Sequence, residues 1–344
     1  MAFENLGDRE KQVLASLISH YVSSADPVGS RVIANKFRLG VSPATIRNTM
    51  QDLEEMGLVS QPHTSAGRIP TDKGYRLYVD YLLRQEQLTE AEKQAINEIG
   101  RSSGGIDTVL EQTSRVLASL SCQLGVGIGP KLDDSVLSRI ELVPMAEGKI
   151  LVVLAFKSGL AQTILLEVDA SININKLAEM EQVLNEKLDG LNLGHIRTSV
   201  QERLQSTSGD PKLLRLFIDE DSDIWKNLDS EKLHIGGTDN ILFQPEFAQR
   251  DKLHGLIKLL ESRTELINVL RTGGDNESGL VITIGAENKA REIQDCSVVS
   301  ARYETGQTSG IIGVIGPTRM PYARLVALVQ YAARQLTRIF KVND

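Results

Sequence analysis

The stretch from Ser42 to Gln51 (SPATIRNTMQ) carries the side chains best suited to chemistry in this chain. An Arg can donate two bonds to guanine O6 and N7, and Asn or Gln can pair in the same bidentate way with adenine N6 and N7. Ala44 and the Thr45 methyl suit thymine methyl groups. If the stretch is helical, Ile46, Met50 and Leu53 share one face, which leaves Ser42, Ala44, Thr45, Arg47, Asn48 and Gln51 outside. Ser42 is set to cap such a helix, with Pro43 in its first turn, where a missing N–H costs nothing. The capped end also offers donors to a phosphate. A second group, His63, Thr64, Ser65 and Arg68 with Ala66 and Gly67 between them, is small, polar and singly cationic. That composition suits contact with a nucleic-acid backbone or minor groove. The plainer reading of both groups is a solvated helix face and a loop. The elements around them favour nucleic acid.

Those elements come in a recognisable order. Asn5 and Asp8 have capping-box spacing, and Val13, Leu14, Leu17, Ile18 and Tyr21 recur at helical intervals until Asp26-Pro27 forbids more helix. A short helix over 29–37 follows, with Val32, Ile33 and Phe37 expected inward. Gly40 permits a tight turn, and Ser42 opens a third helix that Gly57 ends. Residues 58–61 alternate as a strand, 62–67 form a loop, and 68–71 return. Helix, helix, turn, helix and β-hairpin is the winged helix-turn-helix order, whose third helix fits the major groove. Thr71 or Asp72 can cap a further helix with Tyr75, Tyr78, Val79 and Leu82.

Charge is consistent with one specific site and against general polyanion binding. The 344 residues carry a net charge of −7, but residues 1–84 hold 10 basic and 9 acidic side chains and 31–76 hold 7 and 4. An acidic body with a mildly basic head binds duplex tightly only where the head makes good contacts. Hydrophobic residues at 41% and charged ones at 24% fit a globular chain. The longest apolar run, Ile150–Phe156, is far short of the roughly 18 residues a membrane span needs. The first ten residues lack the apolar core of a secretory signal. Two cysteines, Cys122 and Cys296, make neither a disulfide framework nor a zinc site; both are expected as small buried apolar residues in a cytoplasmic protein. The five histidines are scattered, and no catalytic constellation, metal set or cofactor motif is visible, so no enzyme activity and no cofactor are expected.

Beyond a domain boundary near 85–105, Thr89 and Glu92 form a capping box, Ser102 to Gly105 break the chain, and 106–121 reads as an amphipathic helix. The glycine-rich run 125–130 is read as a turn into the body, since Pro130 argues against a nucleotide cradle. Strands are expected at 139–143, 149–156, 160–167, 280–284, 296–303 and 310–315, joined in one antiparallel six-stranded sheet. A helix with Ile174, Leu177, Leu184 and Leu188 follows the first three, and strand texture is absent for about ninety residues. That gap implies an insertion at 192–276, where Trp225 with Leu213, Leu214, Leu216, Phe217 and Leu228 reads as local core or as a subunit surface. Residues 316–321 read as a strand-to-helix turn with Arg319 in a structural ion pair, before a last helix opened by Pro321.

Three stretches carry a specific resemblance: VSPATIRNTMQDLEEMGLVSQPHTSAGRIPTDKGYRLYVDYLL (41–83), GGTDNILFQPEF (236–247) and GIIGVIGPTRMPYARLV (310–326). They resemble HrcA, the heat-inducible transcription repressors of bacteria. The resemblance implies an α+β multidomain protein: a winged helix-turn-helix DNA-binding domain over 1–85, a linker helix over 86–105, a GAF-like α+β domain from 106–191 and 277–344, and an inserted, mainly helical dimerisation domain over 192–276. It also implies a homodimer that binds an inverted-repeat operator, CIRCE, in double-stranded DNA, and so represses chaperone operons. A GroE-type chaperonin would keep such a repressor competent, and heat would inactivate it. Base readout is then assigned to Ala44, Thr45, Arg47, Asn48 and Gln51, and backbone or wing contact to Ser42, His63, Thr64, Ser65 and Arg68. The rival expectation is a winged-helix regulator whose GAF-like domain senses a small ligand.

Overall fold

The computed structural model describes residues 6–84, 86–100, 105–145, 148–168, 176–205, 211–219, 224, 232–271, 279–306 and 308–341. The head forms where caps and glycines say it should. Helix α1 (Asp8–Ser24) is opened by the Glu10 carboxylate, which accepts from the Gly7 N–H at 2.7 Å; the expected cap residue, Asn5, lies outside the described residues. The helix closes on Ala25 in left-handed geometry, just before Asp26-Pro27. Helix α2 (Ser30–Phe37) buries Ile33, whereas Val32, expected inward, is exposed. Gly40, at φ 72°, makes the turn into α3 (Pro43–Glu55). Strands β1 (Val59–Ser60) and β2 (Ile69–Pro70) pair antiparallel as the wing. Thr71 caps α4 (Asp72–Leu77), its hydroxyl accepting from the Gly74 N–H at 3.1 Å, and a π turn carries the chain to Leu82.

Two helices lead into the body. In α5 (Glu90–Asn97) the Thr89–Glu92 capping box is formed. The expected break at Ser102–Gly104 lies outside the described residues. In α6 (Ile106–Ser121), Val109, Leu110, Thr113, Leu117 and Ala118 turn inward.

The strands do not join in one sheet. Strands β4 (Leu137–Met145), β5 (Lys149–Phe156) and β6 (Ala161–Glu167) form a three-stranded antiparallel sheet of their own. A second, five-stranded sheet has the order β7-β3-β10-β9-β8. It is built from β3 (Leu124–Ile128), β7 (Leu233–Gly236), β8 (Leu280–Ile284), β9 (Cys296–Thr305) and β10 (Thr308–Pro317), with every pairing antiparallel. Two of these strands were not legible. The run 125–130 is expected as a turn, yet Leu124-Gly125-Val126-Gly127-Ile128 is a buried strand, with β3 between β7 and β10. Because β3 pairs directly with β7, residues 129–232 form an excursion between two neighbouring strands.

The glycines that hid β3 are there for packing. A Cβ on Gly125 would lie 2.0 Å from the Ser114 carbonyl oxygen of α6, and one on Gly236 would lie 2.8 Å from the Arg115 nitrogen. These two glycines are direct cross-strand partners. Their bare backbone lets α6 press onto the sheet at closer range than any side chain allows.

Three apolar cores result. The excursion has its own, between one face of its sheet (Ile140, Val152, Leu154, Ile164) and helices α7 (Leu177–Leu188), α8 (Leu193–Leu204) and α9 (Pro211–Ile218). Leu213, Leu214 and Phe217 belong to it; Ile174, Trp225 and Leu228 lie outside the described residues. On one face of the five-stranded sheet, Leu124, Val126, Ile128, Val298 and Ile315 pack against α10 (Thr238–Leu242), α11 (Arg250–Glu261) and α12 (Arg263–Arg271). On its other face, Val299, Tyr303, Ile312 and Val314 meet α6 and the last helix, α13 (Tyr322–Lys341), in a core that runs without a break into the head. Cys296 is buried on the face with Val298 and Ile315, its thiol pKa pushed up to about 12 by burial, but Cys122 is exposed at the end of α6 and so corrects its expected burial. No helix among the described residues is long and apolar enough to cross a membrane.

A methyl at the glycine seam should be costly. Gly125→Ala is expected to lower the unfolding free energy by about 1–3 kcal/mol or more, as overpacking against backbone does, measured by urea titration of the full chain. Wild-type stability would show that α6 does not sit on this strand.

Candidate nucleic-acid interface

Helix α3 is held from below by Ile46, Met50 and Leu53, all buried, and Thr49, whose hydroxyl donates to the Thr45 carbonyl at 3.1 Å. Its start is fixed by Ser42: the Oγ accepts from the Thr45 N–H at 3.1 Å and lies 2.9 Å from the Thr45 hydroxyl. Ala44, Arg47, Asn48 and Gln51 are exposed on the opposite face, as their spacing requires. Thr45 is half-buried and its hydroxyl belongs to the cap, so its methyl is what remains for a ligand. Gln51 Nε2 donates to Glu55 at 3.3 Å, a bond between two exposed side chains.

The wing is a small closed structure. Gln61 Nε2 donates to the carbonyls of Thr64 and Ala66, both at 2.9 Å, and the Ala66 N–H donates to the His63 carbonyl at 2.8 Å. His63, Thr64 and Ser65 are exposed at its tip. Val28 and Arg68 exchange both backbone bonds at 2.9 Å, an isolated bridge beside the two-stranded wing. Gly67 is required there, since its Cβ would lie 2.4 Å from the Val28 carbonyl carbon. Arg68 is placed differently from the tip residues. Its side chain is only 20% exposed, and the guanidinium pairs at 2.7 Å with Glu54 of α3.

The basic patch read over 31–76 is therefore smaller in space than in sequence. Arg68 faces Glu54, Lys73 Nζ donates to the Met56 carbonyl at 2.9 Å, and Arg76 is engaged by Glu287 and Asp80. Arg31, Lys36, Arg38 and Arg47 stay exposed, and they gather on α2, its C-cap and α3. Only Asp80, four residues on from Arg76, is a local partner; Glu54 lies 14 residues from Arg68 and Glu287 lies 211 from Arg76, so no pattern along the chain separates the two sets.

Sequence reasoning also missed the joint behind the interface. Asp72 Oδ2 accepts from the Ala286 N–H at 2.9 Å, where Gly285, at φ 53°, leaves no room for a Cβ beside the carboxylate. Arg76 Nε donates to Glu287 at 2.8 Å, and this bond raises its already high pKa. From the other side Arg319 donates to the Val22 carbonyl at 2.6 Å and pairs with Glu246, the structural ion pair expected of it. Between them Tyr75 packs on Tyr322, with ring centroids 5.7 Å apart. Burial raises the pKa of both phenols; the Tyr322 hydroxyl donates to the Thr318 carbonyl at 2.8 Å, whereas the Tyr75 hydroxyl has no bonding partner among the described residues.

Comparison with known proteins agrees with this layout. Residues 5–81 match the family described as winged helix-turn-helix transcription repressor, HrcA DNA-binding. Residues 107–326 match the family described as HrcA protein C terminal domain. The heat-inducible transcription repressor HrcA of Chlorobium phaeobacteroides (strain BS1) is 39% identical, over 98% of this chain and 99% of the relative. Its namesake from Geobacter sulfurreducens is 38% identical, over 98% and 99%, and that from Desulfitobacterium hafniense is 36% identical, over 98% and 99%. Among solved structures, the crystal structure of a hypothetical protein has the same fold, with a TM-score of 0.68 at 23% identity over 99% of this chain and 100% of that one.

The cap of α3 gives a direct stability test. Ser42→Ala leaves the Thr45 N–H without its side-chain acceptor and should cost about 1 kcal/mol, read as a lower thermal midpoint of the full chain. An unchanged midpoint would mean that the helix starts elsewhere.

Proposed function

The chain belongs to the HrcA family of heat-inducible transcription repressors, and from that premise we propose that it silences chaperone operons by seating two winged heads on an inverted-repeat operator of the CIRCE type. The observation that carries this reading is the outer face of α3. Arg47, Asn48 and Gln51 are exposed there together, with Ala44 and the Thr45 methyl beside them, on a helix whose inner face is fully packed. This is the donor, acceptor and methyl set that reads base edges in the major groove. Ser42 and the wing residues His63, Thr64 and Ser65 supply phosphate or minor-groove contacts around it. The acidic remainder of the chain keeps general affinity for polyanions low, so discrimination rests on these contacts.

A single small head offers little interface, and two heads related by a dyad double the contacts and match a palindromic site. A surface suited to pairing is available on the excursion. The outer face of its sheet lines up Val143, Leu151 and Leu165 across three strands, with Val143 39% and Leu165 52% exposed. Leu151, Val153 and Ala155 give the central strand an apolar side on this face as well as on the packed one. An apolar ridge across an open sheet is the kind of patch that self-association covers. A second copy of the chain is the occupant of this reading, and a GroE-type chaperonin is the partner that maintains the active form. Heat response follows if loss of a few kcal/mol of stability empties that form, since folded proteins hold only about 5–15 kcal/mol in all.

Two measurements test the reading. Footprinting of the purified protein on DNA upstream of chaperone genes should show a symmetric protected site that strengthens with added chaperonin. Arg47→Ala should weaken it by about 1–3 kcal/mol and relax preference at one base pair per half-site; an unaltered binding curve would remove Arg47 from base readout. Separately, Leu165→Asp should shift the chain from dimer to monomer in sedimentation, with operator affinity falling alongside. A dimer that persists would place the subunit contact elsewhere.

A further inference from the structure

The wing has too little sheet to hold its own position. Strands β1 and β2 contribute two residues each, joined by Val59↔Pro70 and Ser60↔Ile69. A hairpin of that length is marginal in water even when its turn is good. Gln61 stiffens the loop internally but ties it to nothing outside the wing. The base of the wing is anchored by Val59, buried in the core of the head; beyond it, two links run to the rest of the head near Arg68, the backbone bridge to Val28 and the ion pair from the guanidinium to Glu54. Glu54 stands on α3 one residue past Leu53, on the last turn of the helix that carries Arg47, Asn48 and Gln51. The Glu54 side chain is 32% exposed and that of Arg68 20%, so both are partly buried. The Arg68 Nε is buried with no bonding partner among the described residues, which shows the side chain packed as a strut and not laid out over the surface.

We infer that Arg68 and Glu54 are positioning residues: their ion pair sets the distance and angle between the base-reading helix and the wing, and Arg68 does not itself bind a phosphate. This rests on the DNA-binding reading above and revises the role of one residue within it. A planar guanidinium held by a carboxylate gives a defined geometry that a lysine would not. Because wing and helix must straddle adjacent groove edges together, a loosened wing costs selectivity more than general affinity.

The two roles of Arg68 give different salt behaviour. Each phosphate contact contributes about 0.9 to the slope of log affinity against log salt on duplex DNA. The full-length protein is used to enrich a duplex from a random-sequence pool, and binding to that duplex and to an unselected one is measured over a salt series. With Arg68→Ala, the strut role predicts an unchanged slope and a drop of about tenfold in the ratio of selected to unselected affinity. Glu54→Gln should lower the same ratio, although removal of a negative charge raises affinity for any duplex. The double variant should be no worse than either single one, as expected for partners in one interaction. Arg68→Lys, which keeps the charge and loses the fork, replaces Arg68→Ala should the latter fail to fold by circular dichroism. It should lower the ratio at constant slope. A slope shallower by about 0.9 in Arg68→Ala, a ratio untouched by either substitution, or additive losses in the double variant would overturn the strut. A wild-type protein that enriches no duplex would instead defeat the DNA-binding reading itself.

Discussion

Contact between the backbone of α6 and the glycine pair Gly125–Gly236 is the constraint on which the body depends. Both strands that carry these glycines flank a long excursion, and β7 must find β3 after more than a hundred residues of intervening chain. What identifies the correct partner is shape: only backbone without side chains at this register admits Ser114 and Arg115 of α6. The buried side chains alternate around the glycines, with Leu124, Val126 and Ile128 on the far face. Once α6 is seated, Leu110 and Leu117 join Ile312, Val314 and the apolar face of α13 in one core. The excursion can then fold on its own core without disturbing the sheet that it interrupts.

The same core continues into the head, and this makes the chain more than domains joined by linkers. Tyr75 and Leu77 of α4 lie in one cluster with Tyr322 and Leu325 of α13. Around that apolar centre stand Asp72 on Ala286, Arg76 on Glu287 and Arg319 on Val22 and Glu246. Partly exposed ion pairs of this kind contribute about 0–1 kcal/mol each, so they define orientation more than they stabilise. The joint is thus specific in geometry and modest in strength, and it is continuous through α4 with the wing and through Val22 with α1. Loss of body stability is felt at the head by direct contact, without any need for a separate signalling element.

Local chemistry made much of the head legible. Ser42, Thr71 and Thr89 are caps in the structure as in the sequence, because a cap depends on residues three or four positions apart. The exposed face of α3 was legible for the same reason: Ile46, Met50 and Leu53 select the buried side, and the remainder follows. Where the pattern was weak it misled. Val32 was assigned inward in a helix of eight residues, too short for periodicity to decide. Glycines in β3 removed the apolar alternation that marks a strand, and β7 is only four residues long. Arg68 read as a free cation, because nothing within the wing announces that Glu54 of the preceding helix will meet it.

By itself, then, the amino-acid order determined the helix boundaries of the head, the exposed face of α3 and the presence of two strand-rich regions with an interruption. All of these arise from interactions within a few residues, where residue type alone sets the preference. Only the tertiary structure decided that the strands form two sheets and not one, which cations of the basic stretch are neutralised, and how the head is fastened to the body. Those outcomes depend on partners 14 to 297 residues apart, and whether such groups meet is settled by close packing of the whole chain rather than by any pattern along it.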